Sequence, residues 1–205
     1  MVLTDNMPAA MLAHTNITFK EWAVVVDALG CAEQILILRK GGIREQRGEF
    51  HVDHREFWLF PTQFHEAESS VIPSKRPALR DIAARASKEH VDIEFYAVAD
   101  RVIRINDPEL LKRLQGRHVW SEHVLQERFE FGRERGLYAL LTRVYRLATP
   151  ERVAQRESYG GCKSWVELEQ PIATTTLTPV LSDAAFEMQR NEIGELIDDH
   201  ALAHS

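Results

Sequence analysis

The chain has 205 residues, 44% of them apolar and 27% charged, a balance that is typical of one globular domain and excludes extensive disorder. Its net charge of −6 excludes a strongly basic nucleic-acid binder, and no apolar run approaches the roughly 18 residues of a membrane span. Cys31 and Cys162 are too few for a disulfide framework, and the N-terminus lacks a signal-peptide pattern, so we expect a cytoplasmic protein with no membrane partner.

The acidity is concentrated at the C-terminal end of the chain. From Ser182 onward there are six Asp or Glu residues, against Arg190 as the one Lys or Arg residue. This segment therefore carries −5 of the net charge of −6, and the rest of the chain is close to neutral. A basic face on the body of the protein is compatible with this distribution.

The first predicted element is a helix that begins at Thr18, which has capping-box spacing with Glu21, and ends at Gly30. An apolar run at 34–38 predicts a buried strand. The later patterns predict strands at 57–60, 93–105, 137–147 and 165–168, and helices at 77–89, 108–114, after Ser121 and at the C-terminal end.

Helical and strand patterns alternate along the chain, which predicts an α/β or α+β class, with one domain built on a mixed central sheet flanked by helices. We predict a flexible lead-in at 1–16 and the globular domain at 17–181. Residues 182–205 are predicted to form an acidic amphipathic helix and tail, which can pack on the domain or form a homodimer.

Residues 39–45, Arg-Lys-Gly-Gly-Ile-Arg-Glu, combine basic side chains with paired glycines at the end of a predicted strand. Glycines let a backbone approach a ligand closely, and the basic groups can hold a phosphate or carboxylate. The ligand-binding candidates here are Arg39, Lys40, Gly41, Gly42 and Arg44. Glu45 is a catalytic candidate, as an acid or base or as a partner of Lys40. The alternative is a hairpin turn after an edge strand, with solvated charges.

A second group of polar residues offers metal ligands. His51, Asp53 and His54 supply the nitrogen and oxygen atoms that zinc or another divalent cation binds, so the predicted cofactor is a divalent metal. No HExxH or CxxC spacing fixes a geometry, and a histidine-rich surface loop is the alternative. His65 follows the Phe-Trp-Leu-Phe-Pro-Thr segment at 57–62, where binding residues are common, and is a catalytic candidate.

The third group lies at 159–168. Cys162, beside flexible glycines and a lysine, can be a nucleophile if a histidine serves as base, or it is a small packed residue. Trp165 begins a predicted strand in which Glu167 faces away from its apolar neighbours, to solvent or into a cleft. Cys162 and Trp165 are ligand-binding candidates, and Glu167 is a catalytic one.

Arg128, Arg143 and Arg146 complete the basic candidates. Arg143 and Arg146 lie on a strand of otherwise apolar character, where they can pair with Glu45 or Glu167 or face a polyanion. A structural salt bridge is the alternative to a contact between Arg143 and a ligand.

Three of these motifs occur together in a known family. The segments at 39–45, at 57–62 and at 161–168, Gly-Cys-x-Ser-Trp-Val-Glu-Leu, resemble a bacterial and archaeal family described only as a domain of unknown function. The resemblance covers residues 17–170 and implies a stand-alone cytoplasmic protein with a shared site, and it implies no particular reaction.

A second resemblance concerns the opening of the domain. Residues 22–39 are similar to the start of ASCH domains, PUA-like barrels associated with RNA. Their pattern is Gly-x-Lys-x-x-Glu-x-Arg, and counting from Gly30 this chain has Ala32, Ile35 and Ile37 at the three polar positions.

Our leading hypothesis is a phosphate-binding protein associated with nucleic acid or a nucleotide, with Lys40, Arg44 and Arg143 on phosphate. Base stacking is predicted for one or more of the aromatic residues Trp58, Trp120 and Tyr159.

Two alternatives stay open. One is a metal-dependent phosphodiesterase or nuclease that binds its metal through Glu45, Glu167 and Asp53. The other is a non-catalytic interaction module that uses the C-terminal helix.

Overall fold

The computed structural model describes the backbone of residues 11–40, 43–46, 49–63, 67–132, 134–161 and 163–203, and their side chains except those of 43–46, 49–52 and 199–203. The strands in these residues are β1 (His14–Trp22), β2 (Leu36–Arg39), β3 (Ile43–Gln46), β4 (Glu49–Val52), β5 (Glu56–Thr62), β6 (His90–Ile105), β7 (Leu137–Ala154), β8 (Trp165–Ala173) and β9 (Leu177–Pro179). The α-helices are α1 (Ala23–Gly30), α2 (Arg76–Arg85), α3 (Pro108–Arg113), α4 (Glu122–Glu130) and α5 (Asp183–Ala203).

Within the described residues the main sheet has seven strands in the order β2-β7-β6-β5-β1-β8, with β9 also paired to β7. β1 and β5 are parallel, and the other neighbours are antiparallel, so the sheet is mixed. β2 and β8 lie at opposite edges, and the sheet is open. The predicted single α+β domain with a mixed central sheet is confirmed. β3 and β4 form a separate hairpin after the edge strand β2.

Two apolar clusters cover the sheet. The larger one receives side chains from all five of these helices, among them Leu79 of α2 and Phe129 of α4. The second cluster is made by strands and by the short turn before β8, with Trp58, Tyr96 and Leu168 in it. Successive side chains of β5 point to opposite faces of the sheet, so Phe57 belongs to the larger cluster and Trp58 to the second. β5 is therefore buried on both faces.

The prediction of a helix from Thr18 is wrong, because residues 14–22 form strand β1 and the helix begins at Ala23. The segment is rich in β-branched residues, and it lies between β5 and β8, which use its backbone hydrogen bonds. Thr18 and Glu21 are therefore not a capping box. The Thr18 hydroxyl donates instead to the carbonyl of Val166, with an Oγ1–O distance of 2.8 Å.

The remaining predicted elements are present, with shifted ends. β6 begins at His90 and β7 continues to Ala154, because the two strands pair along nearly their whole length. The predicted C-terminal helix is α5, and its residues Phe186, Ile193 and Ile197 are buried in the larger cluster. Among the helices described, none combines the length and the apolar character needed to cross a bilayer.

Candidate functional site

A large cleft in the described residues lies where β1 and β5 end. Because the two strands are parallel and in register, their last residues, Trp22 and Thr62, lie side by side. β1 continues directly into α1, and the cleft that opens beside both strand ends has a volume of about 1160 Å³. The carboxyl ends of parallel strands are common places for ligands, because neighbouring chain segments diverge there.

The cleft has an excess of positive charge. Its charged lining residues are Lys20, Glu21, Asp27, Arg39, Lys40, Arg85, Lys88, Asp92, Glu94, Arg128 and Lys163. Seven of them are Lys or Arg and four are Asp or Glu, in a chain whose net charge is −6. The basic face that the charge distribution allows is found in this cleft.

Glu21 and Arg39 form an ion pair in the wall of the cleft. Glu21 is only 5% exposed; its Oε1 accepts a hydrogen bond from the backbone N–H of Trp22, with an N–O distance of 2.8 Å. Its Oε2 lies 3.6 Å from Nη1 of Arg39 and has no hydrogen-bond partner within the described residues. The Arg39 guanidinium donates to the carbonyl of Lys20 and, at 3.3 Å, to the Ser164 hydroxyl. Among the described groups, the pair therefore leaves one buried carboxylate oxygen without a donor.

Arg128 of α4 packs against two aromatic rings, and the described residues give it no hydrogen-bond partner. Its Cζ lies 3.8 Å from the ring centroid of Trp120 and 4.9 Å from that of Trp22. The two indoles contact each other edge to face, with centroids 4.7 Å apart. Burial lowers the pKa of Arg128, the nearby Glu21 raises it and Arg39 lowers it. Since an arginine stays charged in a protein, the cleft contains a half-buried cation on an aromatic support.

Lys20 ties the turn before β8 to β1. Its Nζ donates to the carbonyls of Tyr159 and Gly161 at 2.8 and 2.9 Å, and its backbone N–H donates to the carbonyl of Ser164. This arrangement holds 159–161 and Lys163 against the cleft, where they belong to the lining.

Asp27 of α1 is a second carboxyl group in the cleft lining. Burial raises its pKa, Lys75 lowers it and Glu33 raises it again. A carboxyl group with a raised pKa keeps its proton to higher pH than one in water.

Arg39 and Lys40, two of the predicted ligand-binding residues, line the cleft together. Lys40, however, donates to the carbonyls of Phe129 (3.2 Å), Glu134 and Gly136 (2.9 Å). An ammonium group has three N–H donors, so all of them are used to hold the connection between α4 and β7. Burial and the nearby Arg104 lower the pKa of Lys40. In this arrangement Lys40 has a structural role and no donor for a phosphate.

Arg143 lies outside the cleft lining. Its Nη2 donates to the carbonyl of Leu181 and pairs with Asp183 at the start of α5. Arg146 pairs with Glu94 at 3.3 Å. The described contacts thus favour the alternative of structural salt bridges, with partners other than the predicted Glu45 and Glu167.

Trp165 and Glu167 lie on one face of β8. Trp165 packs its ring 4.6 Å from that of Phe19 and contacts the edge of His54 at 5.1 Å, which gives it a packing role. Glu167 is exposed and faces away from the buried Val166, as predicted. Because Glu167 is not part of the cleft lining, its side chain faces solvent.

Several predicted residues lie outside the described residues or have undescribed side chains. The structure does not describe Gly41, Gly42, His65 and Cys162. It describes only the backbone of Arg44, Glu45 and His51. Among the described side chains, which include Asp53 and His54, no group of three His, Cys, Asp or Glu residues is arranged to hold a metal ion.

Lys20, Glu21 and Trp22 line the cleft but were not predicted as site residues, because their spacing predicts a helix. The run of β-branched residues before them was the signal for a strand. The predicted base-stacking residues Trp58, Trp120 and Tyr159 are buried, at 0%, 2% and 3% exposure, and cannot stack on a base without rearrangement.

Comparison with known proteins identifies one family. The family described as "Domain of unknown function (DUF1802)" matches residues 18–192. A search of curated proteins finds no match. Among solved structures, that of ASCH from Zymomonas mobilis is similar at 13% identity, over 85% of this chain and 93% of that chain, with a TM-score of 0.40.

Two single-residue variants of the same Zymomonas mobilis protein are similar at 15% and 13% identity. They cover 75% and 87% of this chain and 90% and 96% of their own, each with a TM-score of 0.41. The similarity to ASCH domains predicted from residues 22–39 is thus also found among structures.

Proposed function

The chain belongs to the family of the domain of unknown function DUF1802, and we propose that its cleft binds a nucleotide or a nucleic-acid strand through a phosphate group. The observation that carries the proposal is Arg128. Its guanidinium lines the cleft and has no hydrogen bond or ion pair with any described residue.

The chemistry of Arg128 matches a phosphate. A guanidinium donates hydrogen bonds in its own plane, and contacts between its face and aromatic rings leave those donors available to a ligand. Trp22 and Trp120 provide such contacts. Burying part of a cation without a hydrogen-bond acceptor costs free energy. A phosphate that supplies two oxygens to the guanidinium offsets this cost.

Other positive charges extend the site towards solvent. Lys88 and Lys163 are exposed and line the same cleft. A concave surface with an excess of one charge raises the local concentration of the opposite charge, even on a protein with an acidic balance. Polyanionic ligands are therefore favoured over neutral ones.

The size of the cleft is compatible with a nucleotide. Its volume of about 1160 Å³ is somewhat above the ~300–1,000 Å³ typical of small-molecule sites, so a nucleotide or a short strand can enter. Trp22 lines the cleft and is half-buried, which makes its fluorescence a reporter of ligand binding.

Binding is tested with cytidine and adenosine monophosphates and with short single-stranded RNA and DNA at two salt concentrations. The protein variants are Arg128→Gln and, as a matched control, Arg80→Gln, since Arg80 is 64% exposed and is not part of the cleft lining. Calorimetry and Trp fluorescence report affinity.

We expect Arg128→Gln to weaken binding by about 10- to 100-fold, which corresponds to the loss of a charged hydrogen bond. Arg80→Gln should stay within about twofold of the natural protein, because exposed charges contribute little. Affinity for the strands should fall as salt rises. Absence of binding to every ligand, or equal losses in both variants, contradicts the proposal.

The alternatives from the sequence have less support. A metal-dependent phosphodiesterase would need converging ligands, and Glu167 lies outside the cleft lining. For an interaction module, the apolar residues of α5 that are buried in the larger cluster favour packing on its own domain. A homodimer through this helix stays a prediction.

A further inference from the structure

A second cationic group lines the cleft, made of Arg85 at the end of α2 and Lys88 in the connection to β6. Both residues are exposed. Nε of Arg85 donates to the carbonyl of Asp81 at 3.1 Å, within its own helix. Arg85 also interacts electrostatically with Asp27, and within the described residues no acidic group lies at ion-pair distance from Arg85 or Lys88. The second cationic group is therefore available to a ligand.

Two acids of the lining near this group are paired with cations outside the lining. Asp92 lies two residues into β6, and its Oδ1 is 2.9 Å from Nε of Arg152. Oε1 of Glu94 is 3.3 Å from Nε of Arg146. Neither arginine belongs to the cleft lining. The charges of these two carboxylates are therefore compensated from outside the cleft, and they do not cancel the second cationic group.

Uncharged residues of the lining separate this group from Arg128. The Arg128 guanidinium lies 4.9 Å from the ring of Trp22, at the end of β1. The end of β5 pairs with Trp22, and Gln63, the next residue, donates from Nε2 to the carbonyl of Ile82 at 3.2 Å. Arg85 follows three residues later on α2. This path crosses two strand ends and most of a helical turn, on the order of 10 Å by the usual spacings of strands and helices.

The electrostatic neighbours of the two cationic positions also differ. Glu21 and Arg39 act on Arg128, whereas Arg85 acts on Asp27. A phosphate oxygen accepts hydrogen bonds from donors within about 3 Å, so one phosphate group does not reach both positions. The cleft therefore has two separate cationic positions with uncharged surface between them.

We propose that the ligand is a nucleic-acid strand that crosses the cleft, with one phosphate on Arg128 and a neighbouring phosphate on Arg85 and Lys88. The inference rests on the proposed function, in which Arg128 holds a phosphate. In a strand, the two phosphates of one nucleotide are separated by its ribose, whereas those of a nucleoside diphosphate are linked directly. Two separated cationic positions with uncharged surface for the nucleoside between them therefore favour a strand over a mononucleotide or a diphosphate.

The test compares the affinities of cytidine 5′-monophosphate, cytidine 5′-diphosphate and cytidine 3′,5′-bisphosphate. Each ligand is measured with the natural protein and with the double variant Arg85→Gln plus Lys88→Gln. The matched control is Arg76→Gln plus Arg80→Gln, which removes the same charge from exposed residues of α2 outside the cleft lining.

The natural protein and the control should bind the bisphosphate about five- to tenfold more tightly than the monophosphate, because two exposed cations each contribute a modest amount. In the Arg85 and Lys88 variant this gain should fall to within about twofold. The affinities of the monophosphate and the diphosphate should stay within about twofold of those of the natural protein, since their phosphates lie on one side of the ribose.

The outcomes separate this inference from the proposed function. If the bisphosphate and the monophosphate bind the natural protein equally, the second phosphate position is overturned, and this comparison does not depend on the folding of a variant. A gain that survives in the folded Arg85 and Lys88 variant, or an equal loss of diphosphate and bisphosphate binding there, also overturns it. In each case monophosphate binding that is weakened in Arg128→Gln leaves the first phosphate site standing. Absence of binding to all three ligands overturns both proposals.

Discussion

Acidification should destabilise the protein through His118. This residue is 5% exposed, and the groups that act on its ring besides burial are the backbone of Trp120 and of His118 itself, which raise its pKa. Burial lowers the pKa of His118 to about 4, from 6.5. Because the folded state favours the neutral ring, unfolding takes up a proton between these two values. The stabilising contribution is complete above pH 6.5 and is lost as the pH falls towards 4.

The size of the effect follows from the two pKa values. Between pH 7.5 and pH 5 the linkage amounts to about 2 kcal/mol of unfolding free energy, out of about 3 kcal/mol for the full shift. Urea unfolding at a series of pH values measures it. Carboxyl groups also titrate in this range, so the diagnostic quantity is the difference between the natural protein and a His118→Phe variant, which cannot take up a proton.

The matched control is His123→Phe, since His123 is 75% exposed. We expect the His118 variant to lose about 2 kcal/mol less than the natural protein between pH 7.5 and pH 5, and the His123 variant to follow the natural protein. The same pH dependence in all three proteins would show that His118 does not contribute to the loss of stability.

Three further substitutions test local packing and hydrogen bonding, each by urea or thermal unfolding. Gly30→Ala should cost about 1–3 kcal/mol, because an added Cβ would overlap the Phe95 ring, and Phe95→Leu in the same chain should recover part of the loss; a neutral Gly30→Ala would contradict this contact. Gly194→Ala, inside α5 with only an ordinary contact at 3.8 Å, should instead stabilise by about 0.5–1 kcal/mol, and destabilisation would show that the site is more crowded. Lys40→Met should lower the free energy of unfolding by about 2–3 kcal/mol, because three carbonyls lose their donor. Unchanged stability would contradict the structural role of Lys40.

Local patterns were sufficient where packing and propensity agree. The apolar run at 34–38 and the aromatic residues at 57–60 predicted β2 and β5, because a strand buried on both faces needs a continuous apolar segment. Residues 14–22 were not predicted as a strand, since Phe19 and Trp22 also have helical spacing. Their state is decided by pairing with β5 and β8, which are distant in sequence.

The same limit applies to the candidate site. The basic cluster predicted that Arg39 and Lys40 lie together, and both line the cleft. The role of Lys40 depends on carbonyls about 90 residues later, and Arg128 depends on two tryptophans about 8 and 106 residues earlier in the chain. A sequence shows that these residues exist, but only the fold brings them together.

The central claim is that Arg128 and a ligand phosphate interact directly, and a thermodynamic cycle measures this interaction. The four affinities are those of CMP and cytidine for the natural protein and for Arg128→Gln. We predict that the phosphate improves binding to the natural protein by at least about tenfold and binding to the variant by less than about twofold, a coupling of about 1 kcal/mol or more. If the phosphate improves binding equally in both proteins, or if cytidine and CMP bind the natural protein equally, the claim is contradicted.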